Sequence, residues 1–370
     1  MILGRSFAGL IGAVFVTGLL AACTQHGALP SPSGSSRPAS VSPTSVPTQA
    51  ATPSARPPLG CHDLAPDSAV SAAFGAKASA GPAAVDAGLS GGVIENIFQL
   101  SAVSLTQAGG IVCGWNLGGG ESDGFFTARF LPDAAPAWST GVPGGYNIPR
   151  ITGWADQAAF GCIEADGEYC VTEALVGSVW VETVAVGQVG ALEAHVAGIE
   201  ALDKGIVATV QAAGVPGPPW TAPPHPTLAC SDFIGDGSTF AGISGLKLSA
   251  TPNYSADRMT EAALAQVGGV GCEWFGSNGE VLLVYLPGGA WSWSSNPMSS
   301  NQSLTVAPLS GVGDQAAGGC STVIVVCSAQ TTSGSARIGL QVASGSGSSG
   351  VTVTLAVTAQ ALRDMLARIG

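Results

Sequence analysis

Histidine and lysine are nearly missing from this chain of 370 residues. The four histidines are His26, His62, His195 and His225, and the lysines are Lys77, Lys204 and Lys247. Lys+Arg total 12 against 24 Asp+Glu, a formal net charge of −12. Nucleic-acid affinity comes mainly from Lys and Arg neutralising phosphates, so the composition excludes a nucleic-acid partner. It also excludes electrostatic attachment to anionic headgroups. No Cys-x-x-Cys pair, P-loop, Gly-x-Ser-x-Gly elbow or His-Glu-x-x-His occurs. Histidine-dependent chemistry repeated along the chain is ruled out, because nothing after His225 supplies a histidine. The reading assigns no metal and no cofactor.

No apolar run reaches the roughly 20 residues that a spanning helix needs. The longest, Phe7 to Leu20, follows Arg5 and ends in Leu20-Ala21-Ala22-Cys23. This is the three-part pattern of a secretory signal closing on a cysteine, so residues 1–22 read as a lipoprotein signal peptide and Cys23 as the acylated residue. Each buried methylene contributes about 0.8 kcal/mol, and two or three acyl chains suffice for stable anchoring. The expected location is the extracytoplasmic face of the cell membrane, with the lipid on Cys23 as the membrane contact.

Residues 23–58 are rich in Pro, Ser, Thr and Ala and poor in bulky apolar residues, which predicts a flexible tether. A second proline cluster, 214–227, reads as a linker. The segments on either side of it, 59–213 and 228–370, repeat one another. Leu105 to Trp115 matches Leu264 to Trp274 at six of eleven positions, and Gly153 to Cys162 matches Gly311 to Cys320 at seven of ten. Each copy opens on Cys-x-Asp (Cys61, Cys230) and later carries Leu-Pro followed by Ala-Trp-Ser.

Helical stretches are predicted at Pro66 to Phe74 in one copy and Ser255 to Val267 in the other, with Ser255 or Asp257 as cap. Strands are predicted at the two Cys-x-Trp motifs, at Phe125 to Leu131, Val281 to Leu286, Val179 to Val186, Val323 to Ser328 and Ile338 to Val342. Each copy closes with an amphipathic helix, striped by Leu192, Val196, Ile199, Ile206 and Val210 or by Leu355, Leu362, Met365, Leu366 and Ile369. The expected fold is α+β twice over: two disulfide-bonded antiparallel sheets with flanking helices.

Of nine cysteines, eight remain once Cys23 carries lipid, an even count that implies disulfides in an exported chain. A three-residue loop at Ala165-Asp166-Gly167 sets Cys162 opposite Cys170 across a hairpin. Cys61 then pairs with Cys113 by elimination. Symmetry gives Cys230–Cys272 and Cys320–Cys327, although Ser321 to Val326 contains no turn residue.

Candidates for chemistry are few. Asp156-Gln157 and Asp314-Gln315 recur in both copies; Asp capping a turn explains them more simply than catalysis does. Gly311-Val312-Gly313 runs into Gly318-Gly319-Cys320 instead of opening a long helix, so it is not a dinucleotide loop. The candidate ligand-facing residues are Trp138, Trp291 and Trp293, because exposed tryptophan is enriched at binding surfaces.

With Cys-x-Trp followed by Gly-x-Gly-Asp-x-Ala, the chain resembles small secreted lipoproteins of mycobacteria and related actinobacteria, whose domains of unknown function carry a similar strand and turn. The resemblance implies an envelope location and supplies no catalytic residue. The sequence therefore leads to a non-enzymatic binding or accessory protein for envelope lipid, glycan or protein. An extracytoplasmic hydrolase using carboxylates, and a structural subunit of an envelope complex, are the alternatives.

Overall fold

The computed structural model describes residues 53–370, apart from 82–97, 119–123, 139–147, 165–167, 189, 215, 222–223, 236–239, 241–244, 247–257, 277, 294–305, 322–324 and 345–352. The signal segment, Cys23 and the expected cap at Ser255 or Asp257 lie outside these residues. Among the described residues no helix is long and apolar enough to cross a membrane.

The fold is α+β, with two similar antiparallel sheets of seven and six strands. In the first copy a short helix α1 (Cys61–Leu64) leads into α2 (Asp67–Phe74), β1 (Ala78–Gly81), α3 (Phe98–Gln107), β2 (Ile111–Leu117), β3 (Phe125–Leu131), β4 (Arg150–Ile151), β5 (Gln157–Glu164), β6 (Glu168–Val176), β7 (Val179–Gly187) and α4 (Val196–Ala213). The strand order is β1-β2-β3-β7-β6-β5-β4. The second copy runs α5 (Cys230–Ile234), α6 (Arg258–Gln266), β8 (Val270–Gly276), β9 (Gly279–Leu286), β10 (Ala307–Pro308), β11 (Gln315–Cys320), β12 (Val326–Ser333), β13 (Ala336–Ser344) and α7 (Leu355–Ile369). Its order, β10-β11-β12-β13-β9-β8, repeats the first without an edge strand corresponding to β1 among the described residues.

The recurring motifs acquire physical reasons here. The aspartate of Cys-x-Asp is the third residue of a short helix. Its carboxylate reaches back to accept from the backbone N–H before the helix, Asp63 from Gly60 at 2.8 Å and Asp232 from Ala229 at 2.7 Å. That arrangement is the return half of a capping box. Cys113 and Trp115 alternate with Gly114 on β2 and so share a face. Both belong to a buried core with Phe74, Phe126, Ile199 and Ile206, and Trp115 lies 5.5 Å from the Phe126 ring. Cys272 and Trp274 do the same with Phe233, Tyr285, Leu362 and Met365.

All four disulfides form in the expected pairs: Cys61–Cys113, Cys162–Cys170, Cys230–Cys272 and Cys320–Cys327. Glu164 faces Glu168 and Cys162 faces Cys170, the register expected from a three-residue loop. Cys320 faces Cys327 in the same way. The connecting residues 165–167 and 322–324 lie outside the described residues.

Three readings of the sequence need correction. Pro66–Phe74 and Ser255–Val267 are not equivalent helices. The counterpart of α6 is α3, since each ends in glutamine two residues before a Gly-Gly pair that leads into the Cys-x-Trp strand. Ser101, Ser104 and Thr106 dilute the apolar stripe of α3, which hid it. The third predicted strand of the second copy starts later, at Val326, and continues through polar residues to Ser333.

The tether, expected to extend through residue 58, is packed from Pro53 onward, and Arg56 is 7% exposed. Its backbone N–H donates to Gly109 O at 2.7 Å, and its guanidinium donates to Ala108 O and Gly217 O. In the second copy His225 occupies the same place: a methyl group on Gly268 would sit 2.7 Å from its ring. The repeat therefore begins five residues before each first cysteine, with Arg56-Pro57-Pro58-Leu59-Gly60-Cys61 matching His225-Pro226-Thr227-Leu228-Ala229-Cys230. Proline-rich composition masked this motif.

Candidate functional site: the seam between the copies

The sheet face opposite the disulfide-bearing cores is where the copies meet. Leu100, Leu105 and Trp180 of the first copy share one buried cluster with Met259, Leu264 and Leu282 of the second. The contacts are reciprocal. Gln107, ending α3, donates to Pro287 O, and Gln266, ending α6, donates to Pro132 O at 2.9 Å. Both acceptors are the proline of the Leu-Pro motif that ends an aromatic strand. Each copy thus reaches the same feature of its partner, the self-complementary pattern of a two-fold interface. Leu100 enters the space left by the missing side chain of Gly339 on β13.

The three tryptophans sit along this seam, each half-buried. Trp291 donates its indole N–H to Gln107 Oε1 at 3.3 Å. Trp293 lies 5.9 Å below the Arg337 guanidinium. Trp138 packs against the shared cluster with its indole nitrogen buried. Trp138 and Trp291 brace the junction, and Trp293 packs on Arg337 of its own copy.

The repeated aspartates close hairpins. Asp156 Oδ2 accepts from Gly177 N at 2.6 Å, and Asp314 Oδ2 from Gly334 N at 2.7 Å. Those glycines turn β6 into β7 and β12 into β13 with φ of 59° and 57°, the left-handed region that glycine enters without strain. Gln157 and Gln315 are exposed at the starts of β5 and β11, and the Gln315 carbonyl accepts from Thr331 Oγ1.

Groups that the sequence reading passed over lie buried within the sheets. Arg129, Glu182 and Glu173 stand directly opposite one another across β3, β7 and β6. Arg129 is ion-paired with Glu182. Trp180, two residues before Glu182, donates its indole N–H to Glu173. Burial first, and then the neighbouring Glu182 carboxylate, push the Glu173 carboxyl well above the usual carboxylate range. Arg258, from α6 of the other copy, lies 5.9 Å over the Trp180 ring.

On the opposite face of the same hairpin, Asp203 of α4 is fully buried and accepts from Thr172 Oγ1 at 2.6 Å. Its burial raises it to about 7, against the lowering effect of Thr172 and Thr183.

The second copy answers each of these positions differently. By strand register, Gln330 replaces Glu173, Gly339 replaces Glu182, Val284 replaces Arg129 and Arg337 replaces Trp180. Arg337 donates to Gln330 Oε1 and to Ser292, so the diagonal hydrogen bond persists without a carboxylate. Burial lowers Arg337 to about 10, which leaves it charged at neutral pH. Opposite, Ala329 and Leu340 stand where the first copy has Thr172 and Thr183. Leu362 lies at the helix position of Asp203, and all three are buried. The scaffold forms with an apolar set there, so the buried acids are additions peculiar to the first copy.

Neither family models, nor curated proteins, nor solved structures give a match.

The geometry alone limits the chemistry. Among the described residues no group of three or more His, Cys, Asp or Glu is placed to hold a metal ion. Glu173 and Glu182, the one directly opposed carboxyl pair inside the seam among the described residues, are 0% and 2% exposed. A signal for these residues existed. In a chain with only 10% charged residues, Arg129, Glu173 and Glu182 each stand in the middle of a strand.

Proposed function

We propose that this protein is a lipid-anchored envelope protein, held to the cell membrane through acylated Cys23, whose paired copies form a binding or accessory module for envelope lipid, glycan or protein. The anchor is supported by Arg5, the Phe7–Leu20 run and the Leu20-Ala21-Ala22-Cys23 ending, and by four disulfides that suit an oxidising compartment. The resemblance to actinobacterial lipoproteins points the same way.

The observation carrying the non-enzymatic part is the commitment of Asp156 and Asp314 to hairpin N–H groups. A catalytic carboxylate must be free to exchange a proton with substrate, and the carboxyl patterns that recur in both copies are spent on turns and helix caps. The hydrolase alternative loses its best candidates on that ground.

The test is native mass spectrometry of the protein recovered from its own envelope, with the N-terminal peptide analysed for acyl chains. The reading expects diacylglycerol on Cys23, release into the medium on Cys23→Ser, and a co-purifying lipid, glycan or protein. An unmodified Cys23 thiol removes the anchor. A stable stoichiometric multiprotein assembly favours the structural-subunit alternative.

A further inference from the structure

Two carboxyls, Glu173 and Glu182, face each other in the seam across β6 and β7, while the same row supplies one guanidinium, Arg129. Trp180, which bonds Glu173, lies under Arg258 of the other copy and shares a buried cluster with Met259, so parting the copies would bring water to Glu173. The second copy holds its half of the seam with Gln330 in the corresponding place. A hydrogen-bond acceptor is therefore what the fold needs there, and the glutamate adds only the capacity to titrate.

We propose that the Glu173–Glu182 pair is a proton-operated latch on the seam: it carries one shared proton while the copies are closed on each other, and losing that proton loosens them.

In the other copy, β8 carries a further buried carboxyl, Glu273, opposite Leu282 of the shared cluster. On β3, Arg129 is engaged by Glu182. On β5 the residue opposite Glu173 is Ala159, and beyond it on β4 is the exposed Arg150. α6 brings Arg258 over Trp180 and carries Glu261 on its next turn. α3 contains no charged residue. Arg129 lowers Glu173, but burial and Glu182 outweigh it.

The direction follows. A carboxyl that holds its proton when closed and releases it more readily when wetted favours the closed state at low pH. The closed state loses ground as pH climbs from the ordinary carboxylate range toward the raised value. One proton per opening event corresponds to about a tenfold change in the opening constant per pH unit within that window. This inference does not depend on the anchor or on any ligand.

The experiment is amide hydrogen exchange on the whole protein between pH 5 and pH 9, corrected for intrinsic rates and read on the amides of α3 and α6. The wild type is expected to lose protection about tenfold per pH unit over part of that range. Glu173→Gln, which places the second copy's residue in the first, is expected to keep its protection flat. Asp203→Asn is expected to leave the seam's pH response intact, separating it from the acid on the other face. A second measurement covers a Glu173→Gln variant that folds poorly: in the Asp203→Asn protein at pH 6, the infrared carbonyl band of a buried protonated carboxyl is expected. Protection independent of pH in the wild type, the same response in Glu173→Gln, or absence of that band would each overturn the latch.

Discussion

Trp180 and Glu173 are joined by an indole-to-carboxyl hydrogen bond inside the first sheet, and the same diagonal in the second sheet joins Arg337 to Gln330. One geometry thus serves two chemistries. An acid with a neutral donor occupies one copy, and a cation with a neutral acceptor the other. Duplicated scaffolds provide their own control, because each copy shows what the other can dispense with.

Asp203 gives the simplest pH prediction. Its folded value of about 7 stands above the ordinary 3.8, so the unfolded chain surrenders this proton first as pH rises. Stability from this group is full below about pH 4, declines through about pH 7 and is absent above, a difference of about 4 kcal/mol at one proton and 1.36 kcal/mol per pKa unit. Asp203→Asn should abolish that decline and be more stable than wild type at pH 8. Urea midpoints at pH 4.5 and pH 8 measure it, and equal pH dependence in both proteins would refute it.

The disulfides should differ in worth by loop length. Cys61–Cys113 closes 52 residues and Cys162–Cys170 closes 8. Chain-entropy reasoning gives about 4 and about 2.5 kcal/mol respectively. Paired Cys→Ser variants compared by denaturant unfolding should rank in that order.

Asp156→Ala and Asp314→Ala should each cost about 1 kcal/mol by leaving the Gly177 or Gly334 N–H without its acceptor. Asp→Asn should cost less, because the amide oxygen still accepts. If either aspartate served catalysis instead, stability would be unchanged and only turnover on a substrate would fall.

Leu100 is fully buried against the other copy's sheet at Gly339. Leu100→Ala should cost about 3 kcal/mol through lost burial and the cavity left behind. The loss falls on the seam, so calorimetry should show two separated transitions where the wild type shows one. A single transition shifted as a whole would mean that the copies unfold together regardless of the seam.

Much of the architecture was legible because its signals are local. The hairpin register of Cys162 and Cys170 follows from a three-residue loop, and the terminal stripes on α4 and α7 follow from helical periodicity. The α3 helix was not legible, since Ser101, Ser104 and Thr106 interrupt its apolar face and its packing partner belongs to the other copy. Arg56 was hidden for a related reason. Its burial depends on backbone carbonyls at Ala108 and Gly217, distant in sequence. The tryptophans were found by residue type, but whether a loop tryptophan faces outward or into a seam is decided by what packs on it. The acids of the first copy were visible as charges inside apolar strands and gained meaning only once the second copy's substitutes were aligned with them.

The reciprocal glutamine contacts have a consequence for the segment that connects the copies. Since each half presents to the other what a symmetric dimer would, residues 214–224 need not shape the seam. Their contribution is to keep the two halves at a high effective concentration, turning association between separate molecules into an event within one. A chain nicked there should stay assembled until dilution separates its halves.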